Sequence, residues 1–105
     1  MTFEEINKMM QEMGMPYAYH HFAEGENHEP PFMLFNVPED NNFSADNEVY
    51  FSTKQIEICL YTAIRNPDIE HEIEQILRHH EIFYTKNCTW IRSEQLYEVQ
   101  YDMEV

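Results

Sequence analysis

The C-terminal nine residues constrain the fold more tightly than any other stretch. Tyr97, Val99, Tyr101, Met103 and Val105 alternate with Glu98, Gln100, Asp102 and Glu104. Successive side chains of a strand point to opposite faces, so this alternation sorts apolar groups to one side and polar groups to the other. The pattern is that of a half-buried antiparallel strand, with one face on a core and the other in water. Ile56, Ile58 and Leu60 alternate in the same way with Glu57, Cys59 and Tyr61. Val49 and Phe51, just upstream, fall at odd positions, out of phase with this even set. A bulge or turn near residues 52–55 would restore a single apolar face.

Two amphipathic helices are available to cover that face. In residues 2–13, Thr2 and Glu5 have capping-box spacing, and Phe3, Ile6, Met10 and Met13 recur every three or four residues. Gly14 and Pro16 stop this helix. The second helix is marked by Asn66 as cap, Pro67 at the first helical position and Asp68, Glu70 and Glu72 near the positive end of the dipole. Ile69, Ile73, Ile76 and Leu77 form its apolar stripe, and Arg78, His79 and His80 its last turn. Glu70, Glu72 and Glu74 are expected on a solvated face. Further strands are expected at 17–22, 32–37, 49–61, 82–84, 88–92 and 96–105. The sum is a single domain, 1–105, of α+β class. It is an antiparallel sheet with both helices on one face, in the order α-β-β-β-α-β-β-β.

Composition narrows the function. The 105 residues hold 20 Asp+Glu against 6 Lys+Arg, a net charge of −14. Phosphate affinity comes from lysine and arginine, so sequence-specific or non-specific nucleic-acid binding is not expected, nor is binding to an anionic membrane. Aromatic residues make up 14 % of the chain, which sets it apart from disordered acidic tails. The N-terminus is acidic where a signal peptide is basic, so a cytosolic chain is expected. Cys59 and Cys88 lack the spacing of a metal or redox motif and read as structural thiols of a reducing compartment.

No complete catalytic pattern is present. With glycine only at 14 and 25, neither a dinucleotide fingerprint nor a phosphate loop can be formed. The serines lack a nucleophile elbow. The adjacent pairs His20–His21 and His79–His80 have the wrong spacing for chelation on a regular strand or helix. No enzyme activity, metal or cofactor is expected. Seven tyrosines and a methionine-rich first helix suit either core packing or a protein contact.

Several stretches together resemble a family of small prophage proteins from Gram-positive bacteria, encoded among the head–tail joining genes. They are Tyr19-His20-His21-Phe22-Ala23-Glu24-Gly25, Pro30-Pro31-Phe32 with Phe35, and Asn42-Phe43-Ser44-Ala45-Asp46. Tyr50, Ile58, Leu60-Tyr61-Thr62, Leu96-Tyr97-Glu98-Val99 and Met103-Glu104-Val105 continue the pattern. The family is similar to tail-completion, or tail-terminator, proteins of long-tailed phages. That resemblance implies a structural role: a ring, typically of six subunits, that caps the tail tube and docks the head connector. The implied partners are further copies of the chain, the major tail protein and head connector proteins. The implied location is the bacterial host cytoplasm during assembly and the virion neck afterwards. Ring contacts are expected from the loop at 38–47 and the strand after it, with Asn42, Phe43, Asp46, Val49, Tyr50 and Phe51 as interface candidates. The other class left open by the charge is an acidic nucleic-acid mimic that inhibits a DNA-binding protein.

Overall fold

The computed structural model describes residues 1–22, 28–40 and 54–105. Over these the chain runs α1 (Phe3–Glu12), β1 (Tyr17–Tyr19), β2 (Phe32–Asp40), β3 (Lys54–Thr62), α2 (Pro67–His79), β4 (Tyr84–Ile91) and β5 (Leu96–Glu104). The five strands form one sheet in the order β1-β2-β3-β5-β4, and the class is α+β.

Local chemistry sets both helices. Thr2 Oγ1 accepts the Glu5 N–H at 3.1 Å, and Glu5 Oε1 accepts the Thr2 N–H at 2.9 Å, which completes the capping box. Gly14 follows α1 with φ 72°, and a Cβ there would meet nothing within 4 Å, so the backbone conformation alone selects glycine. In α2 the Asn66 side chain accepts the Ile69 N–H at 3.3 Å, and Pro67 opens the helix. Beyond its end, Ile82 N–H reaches Leu77 C=O and Glu81 N–H reaches Arg78 C=O, both at 2.9 Å. This is a Schellman turn, with Glu81 at φ 58° in the position glycine normally takes.

The core lies between the helices and one face of the sheet. Ile6, Met9 and Met10 of α1, its C-cap Met13, and Ile73 and Leu77 of α2 pack on Met33 and Phe35, Ile56, Ile58 and Leu60, and Val99, Tyr101 and Met103. Register explains the common face: Met33 pairs with Leu60 and Phe35 with Ile58, while Leu60 pairs with Val99 and Ile58 with Tyr101. Each such side chain contributes about 1.5–3 kcal/mol on burial. The methionines of α1 are therefore core residues, with Met9 joining the stripe. Phe3 stays 46 % exposed, its ring 5.1 Å from Tyr19 and 5.7 Å from Phe35.

The sheet departs from the expected antiparallel order in two places. First, β1 runs parallel to β2. It ends where His20 takes φ 69°, and the twelve residues before Phe32 bring the chain back to the same end of the sheet. A connection of that length is what a parallel neighbour requires. Second, Tyr84–Ile91 is one continuous strand where two short ones are expected, so the order is α-β-β-β-α-β-β. Thr85, Lys86 and Asn87 break the apolar pattern because β4 is an outer strand and exposes them. The expected strand at 49–51 lies outside the described residues. The register shift between β2 and β3 falls at Asn36/Glu39.

Candidate functional site

All six interface candidates, Asn42, Phe43, Asp46, Val49, Tyr50 and Phe51, lie outside the described residues. The residues that flank their segment, Asp40 and Lys54, are register partners of β2 and β3.

Two other features of the sheet bring chemistry-bearing side chains together. The first is the face opposite the helices. Its rows run across the strands: Phe32, Tyr61, Glu98 and Thr89, then Leu34, Cys59, Gln100 and Asn87, then Asn36, Glu57, Asp102 and Thr85. One end is mainly apolar, where Phe32, Leu34, Tyr61, Ile91 and Leu96, together with Ser93 and Glu94, line a shallow hollow of about 390 Å³. Phe32 and Tyr61 stack at 5.1 Å, and Phe22 adds an edge contact to Phe32 at 5.5 Å. The other end is acidic. Glu57 stands directly across from Asp102, a like-charge pairing that weakens a sheet. Asp102 accepts Gln100 Nε2 at 2.9 Å, and at the apolar end Glu98 accepts the Tyr61 hydroxyl at 2.6 Å. Among the described residues no lysine or arginine occupies a position in these rows. Cys59, in the middle, records the resulting field. Burial first, then Glu98 and Glu57, push its thiol up to about 12. The Tyr61 hydroxyl is also raised, by burial and by its bond to Glu98.

The second feature lies under α2. Glu70 was expected in solvent, yet it is 3 % exposed. Its carboxylate takes a two-pronged contact from Arg65 at 2.9 and 3.0 Å and a third from Lys86 Nζ at 2.8 Å. Lys86 also reaches Glu74 at 2.6 Å, and Glu74 accepts the Tyr101 hydroxyl at 2.8 Å. The expected stripe of Ile69, Ile73, Ile76 and Leu77 does pack on the core, and Glu70 and Glu74 join it on the inward side of α2. The Arg65 contact, reinforced by Lys86 against the opposing effect of burial, holds Glu70 below the usual carboxylate range. For Glu74 burial pushes upward, but Lys86 and Tyr101 outweigh it and its pKa is lowered. The same carboxylates raise Lys86 against its own burial. Two carboxylates facing two cations make a locally neutral clamp of α2 on β4 and β5.

The remaining chemistry-bearing groups are dispersed. The left-handed turn at His20 brings His20 Nδ1 within 2.8 Å of His21 Nδ1, a closeness that a regular strand does not allow. His80 Nε2 lies 2.8 Å from Glu12 Oε2 and joins the helix ends. Among the described residues no three His, Cys, Asp or Glu side chains are grouped as a metal site. Cys59 is half-buried and Cys88 exposed, so neither thiol is sequestered in the core. No described helix is long and apolar enough to cross a membrane. The chain matches no protein-family model and no curated protein sequence.

Proposed function

We propose that the chain is a structural subunit of the head–tail neck of a long-tailed phage or prophage, where copies of it cap the tail tube as a ring and join it to the head connector. The observation that carries this reading is the one-sided build of the sheet. Helices cover one face, and the opposite face combines an aromatic end with acidic rows, a surface that contributes little to a monomer's core. The α+β class and the resemblance that runs from Tyr19 to the C-terminus support it. A closed ring needs a heterologous contact. Asn42, Phe43, Asp46, Val49, Tyr50 and Phe51, entering from the β2–β3 connection, are assigned to that contact. The face bearing Glu57, Glu98 and Asp102 is assigned to the lumen, where like charge repels passing DNA instead of holding it. The role is structural and calls for neither catalysis nor a cofactor. Partners are further copies, the major tail protein and the head connector proteins, first in the host cytoplasm and then in the virion neck.

Electron microscopy of phage lacking this gene tests the reading. Unjoined heads beside overlong tails are expected, and normally joined particles would refute it. A nucleic-acid mimic is the second reading, favoured by the carboxylates that β5 and β3 align on one face, although Gln100 interrupts the row. Salt-sensitive binding to a basic DNA-binding protein, with normal phage assembly in the deletion, would select it instead.

A further inference from the structure

Natural sheet edges are blunted by short strands, proline, bulges or outward charge. The outer edge of β4 has none of these. Its eight residues pair with β5 without a register shift, it contains no proline, and its six central residues are exposed. Its one charged side chain, Lys86, is drawn back onto Glu70 and Glu74 under α2. Trp90 remains 47 % exposed even though its ring lies 4.7 Å from that of Tyr97, tilted by 56°, and Phe83, just before the strand, is 88 % exposed. The opposite edge of the sheet, β1, is only three residues long.

Charge then indicates the occupant. Each copy carries −14, so two copies approach only where carboxylates are missing. Residues 82–93 form the longest stretch of the chain without Asp or Glu, and they contain Lys86 and Arg92. The stretch is also chemically self-complementary. Aromatic rings at Tyr84 and Trp90 alternate with cations at Lys86 and Arg92, with Cys88 at the centre. An antiparallel pair centred on Cys88 sets Trp90 against the aliphatic stem of the other copy's Lys86, an apolar contact, and Tyr84 against its Arg92, a ring-over-cation contact. Sliding that centre one residue toward the C-terminus would instead oppose Lys86 to Arg92.

We propose that the outer edge of β4 is a self-association surface at which two copies pair antiparallel about Cys88 and extend the sheet across a two-fold axis. This does not rest on the neck-ring reading, because it concerns the isolated chain whatever its role. Light scattering over a concentration series should give twice the chain mass. Added salt should strengthen the pair, because it screens the repulsion between two acidic bodies. A short bis-maleimide should link the dimer in wild type and in Cys59→Ser, whose thiol lies on the other face, but not in Cys88→Ser. Trp90→Glu should be monomeric with an unchanged far-UV circular dichroism spectrum. A monomer mass at every concentration would overturn the proposal. So would any assembly, ring-sized or otherwise, that never links through Cys88.

Discussion

Replacing Glu70 by glutamine tests the polar clamp beneath α2. The carboxylate is 3 % exposed and receives three charge-assisted contacts at 2.8–3.0 Å, two from Arg65 and one from Lys86. Glutamine keeps the shape and one carbonyl acceptor but loses the charge. Removing one partner of a fully buried ion pair costs about 3–5 kcal/mol. Here the cations are less committed. Arg65 is 43 % exposed and can return to water, and Lys86 keeps Glu74 at 2.6 Å. The loss should therefore be about 2 kcal/mol at neutral pH, which lowers the melting temperature of a domain this size by roughly 8–16 °C. The pH dependence identifies the cause. The folded-state pKa of Glu70 is lowered, so its contribution is present above the ordinary carboxylate range and disappears as pH falls through the folded value. The gap between wild type and Glu70→Gln should be widest at neutral pH and close in acid. Urea denaturation followed by circular dichroism across pH measures it. A variant within about 0.5 kcal/mol of wild type at pH 7, or a gap that persists in strong acid, would refute the reasoning.

Three further substitutions probe other levels of the structure. Glu81→Gly should raise stability by about 0.5–1 kcal/mol, because glycine adopts the left-handed turn at φ 58° without the Cβ penalty, offset in part by its looser unfolded state; thermal melts check this, and a lower melting point would mean the Schellman turn does not form. Glu57→Gln removes half of the like-charge pair with Asp102, so it should stabilise by a few tenths of a kcal/mol at low salt and by nothing at high salt. It should also lower the Cys59 thiol from about 12, read by the pH dependence of alkylation. Phe43→Asp should leave a folded protein that fails to complete tails in an in vitro joining assay; wild-type joining would remove residues 42–51 from the ring contact.

Elements with a complete local code were legible in the sequence. Asn66 followed by Pro67 marks the start of α2 with no help from the rest of the chain, and the alternation through Val105 marks β5 because burial on one face repeats every second residue. What the sequence concealed was decided by partners distant in the chain. Glu70 resembles any other acid of an acidic helix until Lys86, on a strand beyond the helix, is brought beneath it. The continuity of β4 was hidden because an outer strand need not bury Thr85 or Asn87 and so carries no period. The parallel direction of β1 against β2 is not encoded in Tyr17-Ala18-Tyr19 itself, three residues whose pattern marks a strand but not its partner. The Glu57–Asp102 opposition needed the register of β3 on β5, although each residue alone was correctly expected on the wet face.

The two sides of the sheet treat the same residue type in opposite ways, and that contrast bears on function. On the helix side, each inward carboxylate of α2 has a cation or a hydroxyl within 3.0 Å. On the side opposite the helices, Glu57 and Asp102 face each other although the fold does not require acids there. The outward positions of β4 are filled by Thr85, Asn87 and Thr89, which shows that neutral polar residues suit this face. Cross-strand repulsion costs a few tenths of a kcal/mol to about 1 kcal/mol without any return in folding. The return must then lie outside the monomer, in what the face meets or avoids. A lumen wall needs negative potential but no contact, whereas a mimic needs contact and would lose affinity with each carboxylate removed. Neutralising Glu57 and Asp102 together therefore separates the two readings: a ring still joins tails, because its subunit contacts lie elsewhere, while DNA passage through it slows, whereas binding by a mimic is lost.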